Sequence, residues 1–214
     1  MSQSTAKKGN RALRREATEQ KLVAALETVI LRDGFEKLGI NRIADEAGVG
    51  KDLIYRYFDG LPGLVNHWVS ESANWPSAAE LIGSESAEFQ ALPVNERIKR
   101  TFINYTRALR KRPVLVQVMA AQLMLPSDVT IGIEKASARI SDELTILVSE
   151  LSQDNLQRIV SLSLLVISSS NYLAIRATKQ PVFYGLDLSS DASWHHIEGI
   201  IAEMVDCYLN QPRG

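Results

Sequence analysis

Apolar residues in the first third of the chain recur at the spacing of short amphipathic helices broken by glycine. From about Arg14 to Arg32, Leu22, Leu26, Val29 and Ile30 fall at i, i+4, i+7 and i+8, one helical stripe. Gly34 is expected to end this helix in the left-handed conformation, with Phe35 packing back behind it. Ile40, Ile43, Ala44 and Ala47 form a second, shorter stripe that Gly48 stops. After Gly48-Val49-Gly50 a third helix is expected from about Lys51 to Phe58, with Ile54 and Phe58 on its inner face. Gly60 breaks it, and Pro62 suits the first turn of a fourth helix carrying Leu64, Val65 and Trp68.

Residues 76–93 are a looser stretch between Pro76 and Pro93. Helical periods return at about 94–111, 114–125, 128–151, 155–178 and 192–209, punctuated by Pro113 and Pro126 and by the Gly/Asp/Ser-rich segment 181–191. There is no alternating strand pattern of useful length and no repeat. The fold class is all-α. Residues 1–13 are expected to be a flexible basic arm, 14–60 a three-helix helix-turn-helix domain with its motif at 39–58, and 61–214 a larger helical regulatory and dimerisation domain.

Composition changes this picture only when it is divided. The formal net charge of −1 argues against a partner as anionic as nucleic acid. Residues 1–15, however, hold Lys7, Lys8, Arg11, Arg14 and Arg15 with no acid. Residues 1–65 sum to +2 and residues 66–214 to −3, so an acidic body follows a basic tip. A lone cysteine, Cys207, cannot form an intrachain disulfide and reads as an inert thiol on an apolar helix face. No apolar signal core follows the basic start, and serines interrupt the most apolar segment, 162–175. A cytoplasmic protein with no membrane partner is expected.

The second and third helices with their glycine turn form a helix-turn-helix pattern, in which a polar face of the third helix enters the major groove. On a helical wheel Asp52 and Arg56 point away from Ile54 and Phe58, flanked by Leu53 and Tyr55. The stretch Gly34-Phe35, Ile43-Ala44-Asp45-Glu46-Ala47-Gly48-Val49, Ile54-Tyr55-Arg56-Tyr57-Phe58 and Leu64 resembles the DNA-binding domain of the tetracycline-repressor (TetR) family of bacterial transcriptional regulators. The likeness extends over roughly residues 16–76. It implies a homodimeric repressor that binds a palindromic double-stranded operator and is released by a small-molecule effector of unknown identity.

Carried over by position, the resemblance makes Gly50, Lys51, Asp52 and Leu53 the start of the recognition helix, with base or phosphate contacts, and Tyr55 and Tyr57 backbone contacts. Three positions depart from the family. Gly39 stands for a frequent threonine, Gly50 for a serine cap and Leu61 for a phosphate-binding lysine. More of the phosphate binding is therefore expected from Arg42, Lys51, Arg56 and the arm. Asp52 either accepts a hydrogen bond from cytosine N4 or is simply a helix-start acid. Leu53 either meets a thymine methyl or shields the bundle edge. The arm either tracks phosphates or is a solvated charge run.

The segment 155–178 is apolar around much of its circumference, and 192–209 carries Trp194 and a matching stripe. Leu162, Leu165, Ile167, Ile197, Ile201, Met204, Val205 and Tyr208 are therefore expected at a two-fold interface between copies. An effector pocket between the middle helices would draw on Trp68, Trp75, Phe102, Tyr105, Met119, Gln122, Asn171 and Tyr172. His67, His195 and His196 have no metal-ligand spacing, and no nucleophile or phosphate-loop motif is present, so no enzyme, cofactor or metal is expected. The rival reading is a DNA-binding regulator without an effector, controlled by a protein partner or by abundance. Repression and activation share the same reader.

Overall fold

A computed structural model describes the backbone of residues 2–83, 85–122, 128–146 and 153–210; side chains of residues 2–11, 72, 128–131, 143–146 and 154 lie outside that description. The described residues form eleven α-helices and one two-stranded hairpin, in two compact units. Residues 1–71 and 117–133 make the first unit, residues 72–116 and 134–214 the second.

The first unit holds α1 (Ser2–Asp33), α2 (Ile40–Ala47), α3 (Asp52–Phe58) and α4 (Leu61–Ser70). Leu22, Leu26, Val29 and Ile30 of α1 are buried with Ile43, Ile54, Leu64 and Val69, as the stripes require. Each such side chain contributes about 1.5–3 kcal/mol by leaving water. Trp68 is buried as well and donates its indole N–H to Glu27 Oε1 at 2.7 Å, tying α4 to α1.

Two expectations fail here. The N-terminal segment is helical, because α1 starts at Ser2 rather than near Arg14. Ala6, Lys7, Lys8, Arg11, Ala12 and Leu13 are good helix formers, set against Ser2, Ser4, Thr5, Gly9 and Asn10, and the helix runs outward through them from the packed turns of α1. The side chains of Lys7, Lys8 and Arg11 fall outside the described residues. Gly34 has a positive φ of 89° but an extended ψ of 156°, so it is not left-handed helical.

The second unit is built around α7 (Val94–Arg110), which contacts α5 (Ala78–Ile82), α10 (Gln153–Lys179) and α11 (Asp191–Leu209). Ile98, Phe102, Thr106 and Leu109 line its buried face. Ion pairs clamp the helices together: Arg107 reaches Glu198 at 2.6 and 2.8 Å, and Arg112 reaches Glu80 at 2.6 and 3.0 Å. The looser stretch 76–93 contains α5 and α6 (Ser86–Ala91). Two further helices, α8 (Pro113–Gln122) and α9 (Asp128–Ile146), complete the set; residues 123–127 and 147–152, expected to be partly helical, lie outside the described residues.

Between α10 and α11 the chain forms β1 (Val182–Phe183) and β2 (Leu186–Asp187), an antiparallel pair where no strand was expected. Two-residue strands are too short for an alternating pattern to register. By length and composition alone α10 is as apolar as a bilayer-crossing helix, a property that core helices share. It packs against α7 and α11, and Thr106 and Ser170 hydrogen-bond within that contact at 3.1 Å.

Candidate nucleic-acid interface

The helix-turn-helix geometry follows from one glycine. Gly48 ends α2 in the left-handed conformation at φ 65° and ψ 36°. Its N–H reaches Asp45 O at 3.2 Å and the Val49 N–H reaches Ala44 O at 3.1 Å, the paired bonds of a Schellman ending. α3 then buries Ile54 and Phe58 and turns Lys51, Asp52, Tyr55 and Arg56 outward, with Leu53 and Tyr57 half-buried. The outward face is the one the helical period selected.

Sequence inspection passed over Gly63. A Cβ there would lie 1.5 Å from the Phe58 carbonyl oxygen, so only glycine lets α4 dock on the end of α3. No pattern signals this, because the requirement comes from a neighbouring backbone and not from periodicity.

The starts of α2, α3 and α4 share a chemical property. Their N-cap residues, Gly39, Lys51 and Gly60, provide no side-chain hydrogen bond; in α3 the Leu53 and Ile54 N–H groups instead reach Gly50 O and Lys51 O, both at 3.1 Å, so open first-turn donors belong to α2 and α4. In the second unit Ser77 caps α5 and Ser190 caps α11, while α6 and α7 also start without a side-chain cap. A cleft of about 720 Å³ runs past the starts of α2 and α4, lined by Lys37, Gly39, Asn41, Arg42, Asp45, Lys51, Tyr55 and Leu61. Lys37 and Asn41 join the expected residues here. They are missed by sequence because they lie just outside the recognition helix.

Charge is distributed unevenly among the basic residues. Arg42 pairs with Asp33 at 3.1 Å, and Arg32 bridges Asp33 at 3.1 Å and Glu46 at 2.6 Å. The hydrogen bond from Arg32, supported by that from Arg42, holds the Asp33 carboxyl below the usual carboxylate range. Arg42 is thus partly neutralised, whereas Lys51 has no ion-pair partner among the described residues. Arg56 donates to the Tyr57 hydroxyl at 3.0 Å, and the guanidinium carbons of Arg56 and Arg15 lie 5.0 and 5.1 Å from the Tyr57 ring. Arg15 of α1 is therefore tied to the recognition helix by cation–π contact. Asp52 lies close against Gly50: a Cβ on Gly50 would sit 2.4 Å from Asp52 Oδ1. That placement suits a helix-start acid.

Residues 22–66 match the family of bacterial regulatory proteins described as the tetR family. Those residues form an N-terminal domain of the TetR type. No curated protein sequence matches the chain. Among solved structures, the fatty acid degradation regulator FadR from Bacillus halodurans is similar at 16% identity and a TM-score of 0.59, covering 92% of this chain and 96% of that one. A transcriptional regulator from Rhodococcus sp. Rha1 is similar at 16% identity and 0.63, over 91% and 99%. A TetR family transcription regulator from Marinobacter aquaeolei VT8 is similar at 17% identity and 0.54, over 92% and 97%. At these identities the likeness concerns the fold.

The remaining expected residues divide. Of the interface set, Leu162, Ile197, Ile201 and Val205 are buried within the chain, as the period that faces α7 demands, and Ile167 is half-buried. Leu165, Met204 and Tyr208 are exposed, with Val160, Leu164 and Ile200 beside them. Cys207 is exposed on the same helix as Met204. Of the effector set, Trp68, Met119 and Gln122 belong to the first unit and the other five to the second. Trp75 and Phe102 are core residues, and Tyr172 is exposed. Tyr105 donates to Asn171 Oδ1 at 2.7 Å, and burial pushes its hydroxyl up to about 12. A cavity of about 220 Å³ in the second unit is lined by other residues, among them Leu109, Arg110, Val116, Ala174, Thr178 and Trp194.

Proposed function

We propose that the chain is a TetR-family transcriptional regulator, a cytoplasmic homodimeric repressor that binds a palindromic operator through paired α3 helices and is released by a small-molecule effector. The observation that carries the DNA reading is the outward face of α3 beside the uncapped starts of α2 and α4. Lys51, Arg56 and Arg42 meet phosphates, as do Arg14, Arg15 and the basic residues ahead of them. Gly50 brings the backbone close to the duplex, Tyr55 and Tyr57 offer hydroxyls to the sugar-phosphate chain, and Leu53 sits at the groove edge. Asp52 orders the helix start. The net +2 of residues 1–65 is small for this task, so binding relies on two copies and weakens steeply with salt.

The dimer reading rests on Leu165, Met204 and Tyr208, which with Val160, Leu164 and Ile200 leave apolar surface facing water.

A second reading, regulation without an effector, draws support from size. Among the described residues, the cavity lined by Leu109, Ala174 and Trp194 holds about 220 Å³, below the roughly 300–1,000 Å³ of ordinary ligand pockets. Selection of bound DNA fragments, followed by a screen for compounds that release them, separates the two. Release by a compound class supports the effector. A bound complex that no compound disturbs supports control by a protein or by abundance.

A further inference from the structure

The hairpin between α10 and α11 carries an unexpected tip. Tyr184 and Gly185 have successive positive φ values of 46° and 81°, the arrangement of a two-residue hairpin turn in which asparagine or glycine is normal. A bulky side chain is disfavoured in the left-handed region, yet Tyr184 occupies it and is 90% exposed. The turn thus holds a bulky residue against its backbone preference, with one edge-on contact to Phe183 and most of the ring left in water.

The hairpin is also stiff. Phe183 meets Tyr172 of α10 edge-on at 5.6 Å and Tyr184 at 4.6 Å, and the Arg176 guanidinium lies 4.8 Å from the Phe183 ring. Leu188 is buried, its N–H bonded to Pro181 O at 2.9 Å and its carbonyl accepting the Trp194 indole N–H at 2.7 Å. Both neighbouring helices therefore anchor it, and a partner would not have to order it.

We propose that this hairpin is a clasp that closes on a second copy of the chain, with Tyr184 as its aromatic anchor; this rests on the dimer reading above. Continuity and charge choose the occupant. Tyr172, which touches Phe183, ends the outward row of α10, and every exposed side chain from 157 to 172 is uncharged. The cations nearest the hairpin along the chain are Arg176, held over the Phe183 ring, and the exposed Lys179; the exposed side chains from 157 to 172 offer nucleic acid none. A second copy presents the same uncharged apolar row, and a two-fold arrangement makes the surface self-complementary. Each hairpin then extends the shared face with Tyr184 and Val182, and exposed tyrosines of this kind are frequent interface anchors.

The test compares the full chain with Tyr184→Asn, Tyr184→Phe and Leu165→Glu by sedimentation, or by subunit-exchange rate where the dimer is too tight to dissociate. Asparagine suits the turn, so Tyr184→Asn preserves the hairpin while removing the anchor. Dimer dissociation or exchange is expected to rise by about tenfold or more in Tyr184→Asn. Tyr184→Phe keeps most of the affinity, and Leu165→Glu is monomeric. A wild-type chain that is monomeric throughout defeats the dimer reading and the clasp with it. A wild-type dimer broken by Leu165→Glu but unchanged by Tyr184→Asn overturns the clasp alone and leaves Tyr184 to a different partner.

Discussion

On α3 the side chains left outward are Lys51, Asp52, Tyr55 and Arg56; on α10 they include Val160, Leu164, Leu165 and Tyr172. Both helices bury one face inside their own unit, so what differs is the chemistry each leaves over. The first retains charge, hydroxyls and neighbouring helix starts without side-chain caps. Between 157 and 172 the second retains hydrocarbon and a few amide and hydroxyl groups, with no charged side chain exposed. The leftover chemistry indicates the partner: an anion that can take several N–H and cationic donors at one end, and an apolar surface of matching kind at the other.

Placing a charge on the apolar row gives the largest expected effect. Leu165→Glu should raise the dimer dissociation constant by about a hundredfold or more, because two carboxylates would be buried across the two-fold. Sedimentation checks this, and operator affinity should fall with it. The reader can be broken without touching its charges. Gly63→Ala drives a methyl onto the Phe58 carbonyl and should cost about 2–3 kcal/mol of first-unit stability, seen as a lower denaturation midpoint with DNA binding lost in parallel.

Charge removal on α3 is the gentler test. Lys51→Ala or Arg56→Ala should weaken operator binding about tenfold and flatten the log–log salt slope by about 0.9 for each phosphate left unneutralised in each half-site. The same substitutions should leave dimerisation untouched, which keeps the two faces separable.

The smallest effect concerns the second unit's interior. The Tyr105 hydroxyl titrates near 12 in the folded chain and near 10 unfolded, so the unfolded state loses its proton first. Stability from this group is complete below pH 10 and lost between pH 10 and 12, with a slope approaching about 1.4 kcal/mol per pH unit. Denaturation curves across that window should show a shallower decline in Tyr105→Phe than in the parent chain.

How legible each region was depended on whether one neighbour or two could claim a helix face. For α3, burial of Ile54 and Phe58 fixes the rest of the wheel, and the Gly48 turn is written in the residue that makes it. For α10 and α11 the apolar positions surround much of the helix, and both α7 and a second copy would accept them. Tertiary packing decides that Leu162, Ile197, Ile201 and Val205 turn inward. The same ambiguity affects the effector residues, because Phe102 and Trp75 have the spacing of core and are core. Charge suggested a disordered arm where α1 runs back to Ser2. Gly63 and Tyr184 were hidden for a different reason. One matters through a carbonyl five residues away, and the other sits in a turn whose usual dipeptide it does not resemble.

The central claim, that α3 reads DNA as one of a symmetric pair, meets its most direct test in selection from a random duplex pool by the full chain and by a Lys51→Ala, Arg56→Ala double variant. The account predicts an enriched inverted repeat with the full chain and little enrichment with the variant. Failure to enrich any sequence, or an enriched sequence that the double variant binds equally well, would contradict it.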